Sequence, residues 1–158
     1  ILNLIEIDAR ANDVHLLVNL YDRLPDISAV AIQIQQVVLN LTRNAIDAMT
    51  SIPAADRFLG IEAAASPTGG VRVRVSDCGR GIPDDQRDRI FQSFASGKPD
   101  GMGMGLSISR TIVEMHGGRL WLEKSGDAGS VFAFDLPAAT RPAATEAVDN
   151  LPSSPAAC

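Results

Sequence analysis

One carboxylate, two glycines and a proline fall within seven residues in Asp77-Cys78-Gly79-Arg80-Gly81-Ile82-Pro83. Glycine adopts backbone conformations closed to other residues and lets a ligand approach the main chain. A carboxylate at the base of such a loop can accept the exocyclic amine of a purine while the loop lies along the ring. An ordinary turn is the competing reading of Asp-x-Gly-x-Gly taken alone. A second group stands further on, where Gly101, Gly103 and Gly105 precede an apolar-periodic run over residues 106–116. Glycines directly ahead of a helix present free backbone N–H groups to an anion, and the helix dipole adds to the attraction. That spacing is a phosphate signal.

A third group shares one helix, expected over residues 32–49. At ~100° per residue, Gln36, Asn40, Arg43, Asn44 and Asp47 occupy an arc roughly 100° wide. Beside it runs a core stripe of Ile34, Val37, Val38, Leu41, Ala45 and Ala48. A solvated face is the ordinary fate of a polar stripe, but solvent faces carry Lys and Glu, and asparagine is a poor helix former. Two asparagines at i and i+4 are easier to explain if they hold something.

These groups must be positioned by the elements around them. Val71-Arg72-Val73-Arg74-Val75 alternates with a period of two and reads as a half-buried strand that delivers Asp77. Residues 14–20, 58–65, 119–124 and 130–136 read as further strands, and 27–30 as a short one. Hairpin turns fall at 66–70 and 125–129. Residues 84–91 read as a short helix with acidic residues in its first turn, and 106–116 as an amphipathic helix closed by the C-cap pair Gly117-Gly118. Phe91 and Phe94 read as core packing. The aperiodic, glycine-rich residues 95–104 are placed to act as a lid. Residues 1–13 are expected to end an upstream linker or helix, 14–137 to form the domain, and the Pro/Ala-rich residues 138–158 to be a disordered tail or linker. The order implies a two-layer α/β (α+β) sandwich, with a mixed, mostly antiparallel sheet covered on one face by about three helices.

Composition narrows the function. A length of 158 residues with 46% hydrophobic content suits one domain with a proper core. A net charge of −5 argues against a nucleic-acid platform and favours a magnesium-bridged nucleotide over a bare polyanion. Cys78 in the glycine loop and Cys158 at the last position form no disulfide framework, which fits a reducing compartment. Ile1-Leu2-Asn3-Leu4 lacks the basic leader of a signal peptide, and the chain, lacking an initial Met, is expected to be a fragment of something longer.

Four blocks in order resemble the boxes of the GHKL (Bergerat-fold) ATPases and kinases. Residues 36–48, from Gln36 through Asn40-Leu41-Thr42-Arg43-Asn44 to Ala48, resemble the N box. Residues 77–83 look like the G1 box, Phe91-Gln92-Ser93-Phe94 the F box, and Gly101-Met102-Gly103-Met104-Gly105-Leu106 the G2 box. Their order and spacing are similar to the catalytic domain of bacterial sensor histidine kinases of the oxygen- and nitrogen-sensing type. The resemblance covers residues 14–137.

The resemblance implies a Mg²⁺-ATP site. Asp77 would accept the adenine amine, with Gly79, Gly81 and Ile82 forming the loop along the ring. Asn44 would bind Mg²⁺ through its amide oxygen, a hard ligand for a hard cation. Asn40 would help hold the phosphates, with Asp47 on the same face. Gly101, Met102, Gly103, Met104, Gly105 and Leu106 would cradle phosphate at the helix start, and Phe94 would lie beside the lid. Lys98 matches a lid lysine that would neutralise the terminal phosphates, and Arg43 is placed either for that task or to pair with Asp47. Relatives that hydrolyse ATP carry a Glu where Asn40 stands, and an amide cannot take a proton from water. Phosphoryl transfer is therefore expected over hydrolysis. Val30, where relatives often carry Asp, and Ser96-Gly97, where Thr-Thr commonly stands, depart from the pattern.

His15 and His116 read as structural, so the acceptor histidine is expected on a helical dimerisation domain of the same protein outside this chain. A response-regulator aspartate would receive the group next. The resemblance further implies a cytoplasmic location, a monomeric isolated domain, a homodimeric full protein and no nucleic-acid partner. The competing readings are a GHKL-type ATPase and a nucleotide-responsive interaction module without catalysis.

Overall fold

The computed structural model describes residues 1–92 and 104–139. Its sheet has the order β1-β2-β3-β5-β4, built from β1 (His15–Leu20), β2 (Phe58–Ala65), β3 (Val71–Asp77), β4 (Arg119–Gly126) and β5 (Gly129–Leu136). β1 runs parallel to β2 and every other pair is antiparallel. The parallel pair needs a long crossover, supplied by α2 (Ala31–Ala48). The mixed sheet expected from the order of elements is the one found.

Register sorts the two faces. Ile61, Val75, Phe132 and Leu122 lie side by side in one row, and Val73, Phe134 and Leu120 in the next. Both rows face α2, α4 (Gly105–Met115) and α1 (Leu2–Ala11), whose Val37, Leu41, Val113, Ile5 and Ala9 complete the core. Each large side chain fully buried there contributes roughly 1.5–3 kcal/mol. The opposite row carries Glu62, Arg74 and Trp121. On that open face Arg74 bridges Glu62 at 2.7 Å and Glu123 at 2.8 Å, while Arg72 makes a fork onto Asp135 at 2.7 and 2.8 Å. The arginines between the valines therefore tie the sheet laterally.

Several local expectations are corrected. Of the linker or helix expected over residues 1–13, the helix is found, and α1 also seats Ile5 and Ala9 in the core. Residues 27–30 supply only the bridge Ile27–Ala138, and Ala139 N–H donates to Asp26 O at 2.7 Å, so packing runs past residue 137. The helix expected over 84–91 is α3 (Asp84–Arg87) alone. Turns follow it and let Phe91 meet Phe132 edge-on, with ring centroids 6.2 Å apart. Val30 cannot cap α2 with its side chain; instead its N–H donates to His116 Nε2 at 3.0 Å, while His116 Nδ1 donates to Ile112 O at 2.8 Å.

Candidate nucleotide-binding site

β3 ends on Asp77, and the glycine loop folds back beneath it. Asp77 Oδ1 accepts from Gly79 N–H at 2.8 Å and Ser130 N–H at 3.3 Å. Both bonds fall on the same oxygen, and Oδ2 has no partner among the described residues. Burial pushes the Asp77 carboxyl above the usual carboxylate range, against the opposing pull of those two N–H groups. The loop is wedged on both sides. A Cβ on Gly79 would stand 2.6 Å from Ala48 O, the carbonyl that accepts Arg80 N–H at 3.3 Å. Gly81 has φ +66°, and a Cβ there would collide with Gly126 O. Contact with the β4–β5 hairpin is thus enough to require glycine at 81.

α2 carries the asparagines. Asn40 Nδ2 donates to Ser109 Oγ of α4 at 3.3 Å, and Ser109 is 0% exposed. Asn44, one turn on and half-buried, has no hydrogen-bond partner among the described residues. Asp47 and Gln36 are exposed on the same helix. Arg43 Nε lies 3.5 Å from Asp8 Oδ2 of α1. At the start of α4, Met104 is the N-cap and Gly105 the first helical residue, while Leu106 and Ile82 pack against the core. Phe94, Lys98, Gly101, Met102 and Gly103 lie outside the described residues.

Three serines contribute without belonging to any of the four boxes. Ser109 interrupts the apolar stripe of α4 at a core position, which is a legible signal. Ser125 and Ser130 flank the hairpin loop and meet only in the folded sheet, 2.9 Å apart. A cavity of ≈ 440 Å³ lies on the open face of the sheet beside Arg72, Arg119 and Trp121. Arg72 there is already bound to Asp135. That cavity is remote from the glycine loop.

Residues 29–140 match the family described as histidine kinase-, DNA gyrase B- and HSP90-like ATPase. The chain belongs to this family. Sensor protein FixL of Bradyrhizobium diazoefficiens is 43% identical over 141 residues, covering 83% of this chain and 26% of FixL. Sensor histidine kinase ZraS of Escherichia coli is 37% identical over 137 residues, covering 86% of this chain and 28% of ZraS. The chain spans about a quarter of the length of each. Among solved structures, the nucleotide-free catalytic domain of histidine kinase ThkA superposes with a TM-score of 0.71 at 33% identity, covering 85% of both chains. Full-length ShkA in complex with AMPPNP gives 0.74 at 29% identity, covering 88% of this chain and 28% of ShkA. The architecture is thus that of a histidine-kinase catalytic domain, as the four boxes implied. No helix among the described residues is long and apolar enough to cross a membrane.

Proposed function

We propose that this chain binds Mg²⁺-ATP and transfers the γ-phosphoryl group to a histidine on a helical domain of its own protein. Asp77 Oδ2, which has no partner among the described residues while Oδ1 is doubly bonded, carries this reading. It is an acceptor aimed at the exocyclic amine of adenine. No group of three His, Cys, Asp or Glu side chains fit to hold a metal occurs among the described residues. Mg²⁺ suits that poverty, because it keeps waters and phosphate oxygens and takes few protein ligands. The Asn44 amide oxygen, without a partner among the described residues, would be its protein ligand, and the cation would neutralise phosphate charge. Gly105 and the N-terminus of α4, with Gly101 and Gly103 before it, would receive phosphate oxygens through backbone N–H groups. Lys98 would add a cation there, while Arg43 would have to leave Asp8 to do so.

Asn40 supports transfer over hydrolysis. Its amide has no basic lone pair to take a proton from water, and Ser109 already holds its nitrogen. The acceptor is in another domain, since His15 stacks on Phe58 at 5.2 Å and both ring nitrogens of His116 are engaged. The histidine nitrogen would bond to the γ-phosphorus as the bond to the β-bridging oxygen breaks, releasing ADP. A response-regulator aspartate would then take the group. ThkA has been captured with the response regulator TrrA, and its chain there matches this one with a TM-score of 0.67 at 30% identity. We place the full protein in the cytoplasm as a homodimer, with this domain monomeric when isolated and no nucleic acid bound.

The test mixes the chain with Mg²⁺-ATP and the histidine-bearing helical domain of its own protein, and looks for acid-labile phosphate. Asp77→Asn should lower ATP affinity on the order of a hundredfold, because the N–H groups on Oδ1 hold the amide oxygen and turn its NH₂ toward the adenine amine. Unchanged affinity in that variant, or steady phosphate release by the chain alone, overturns the reading.

A further inference from the structure

The glycine loop is held from outside by the β4–β5 hairpin. Ile82 N–H donates to Ser125 Oγ at 2.7 Å, and that oxygen lies 2.9 Å from Ser130 Oγ. Ser130 in turn gives its backbone N–H to Asp77 Oδ1. Arg87 of α3 closes the bracket from the other side, donating to Ser125 O at 2.7 Å and Ile82 O at 3.4 Å. Gly81 and Gly129 leave no clearance for drift, since a Cβ on either would strike the opposite segment's carbonyl, Gly126 O and Asp77 O respectively. One hydroxyl therefore couples the far end of the loop to the residue that orients the carboxylate.

We propose that Ser125 is a positioning residue for base selection. It touches no nucleotide, and it sets the Asp77 carboxylate and the Ile82 backbone at the separation that matches adenine, with Arg87 bracing it. The inference rests on the adenine role of Asp77. Loss of the hydroxyl leaves the half-buried Ile82 N–H without its partner, so the loop relaxes and the carboxylate loses its aim.

Calorimetric titration of the 158-residue chain with Mg²⁺-ATP and with Mg²⁺-inosine triphosphate tests this. Inosine carries a carbonyl where adenine carries its amine, so it has no Asp77 contact to lose. Ser125→Ala should weaken ATP about five- to tenfold while moving inosine triphosphate less than about twofold, and Ser125→Thr should restore the ATP preference. Arg87→Gln, on a side chain 39% exposed, keeps the fold if Ser125→Ala does not. It should narrow the preference about two- to threefold. A wild-type ratio of the two affinities in both variants, or an equal loss of both nucleotides, overturns the positioning role. Asp77→Asn separates the failures. If it keeps the wild-type ATP preference, the adenine reading falls and takes this inference with it. If it abolishes the preference while Ser125→Ala and Arg87→Gln keep it, only the role of Ser125 falls.

Discussion

The two ends of the candidate site are built to opposite rules. At the base end, Gly79, Gly81 and Gly129 are packed so tightly that none has room for a Cβ, and Asp77 Oδ1 is fixed by two backbone donors. At the proposed phosphate end, among the described residues, a Cβ on Gly105 would meet nothing within 4 Å and Asn44 has no partner. A preorganised end loses little entropy on binding and can discriminate between bases. On the proposed function, phosphate and cation would complete the other end. On that reading, selection and positioning of the reacting group would be separated along the nucleotide.

The contrast breaks most visibly at glycine. Gly129→Ala must adopt φ +109° and drive a methyl into Asp77 O and toward Cys78 Cα. We expect a loss of roughly 3 kcal/mol or more in urea unfolding. Gly105→Ala should leave stability within about 0.5 kcal/mol of wild type or raise it, since alanine is the better helix former. Similar losses in the two variants would show that the ends are not built differently.

Asn44→Ala sharpens the other side. The amide has no protein partner to lose among the described residues, so unfolding stability should stay within about 0.5 kcal/mol of wild type. Mg²⁺-ATP affinity should fall about tenfold or more, whereas ATP titrated in the presence of a chelator should bind the variant and the wild type alike. An equal loss with and without Mg²⁺ would assign Asn44 to the phosphates. A large loss of stability would give it a structural role.

What was legible in the sequence follows the same division. The Val/Arg alternation of β3, the period of α2 and the asparagines one turn apart are properties of single elements, and local pattern reports them. Periodicity says which face of a helix is buried and not what stands across from it. Hence the partner of Asn40, Ser109, lies 69 residues away, and the partner of Arg43 is Asp8 on α1, at the far end of the domain sequence. The bracket at Ser125 is a tertiary fact of the same kind, set by the register that brings β5 beside β3. The helix over 84–91 stops early because Phe91 must reach Phe132, and that packing overrides local propensity.

The smallest expected effect concerns why the base end carries its carboxylate at all. Asp135 on the open face is the reference. Burial raises its carboxyl, but hydrogen bonds from Arg72 and Ser66 and the arginine charge outweigh this and hold it below the usual range. A carboxyl lowered by folding contributes stability that is present above its unfolded value and is lost as the pH falls through its folded one. Asp77 has the opposite sign. Its folded value is raised, so the fold binds that proton more tightly than the unfolded chain does, and acidification through that value adds stability. At neutral pH Asp77 is therefore a cost to the empty domain, and Asp135 a support. Urea unfolding at neutral and mildly acid pH should show Asp77→Asn slightly more stable than wild type at neutral pH, with the gain shrinking as the pH drops. Asp135→Asn should be less stable at neutral pH, with a deficit that also shrinks. If Asp77→Asn were the less stable variant at neutral pH, the carboxylate would belong to the scaffold. The base end would then be rigid for stability and not for the nucleotide it selects.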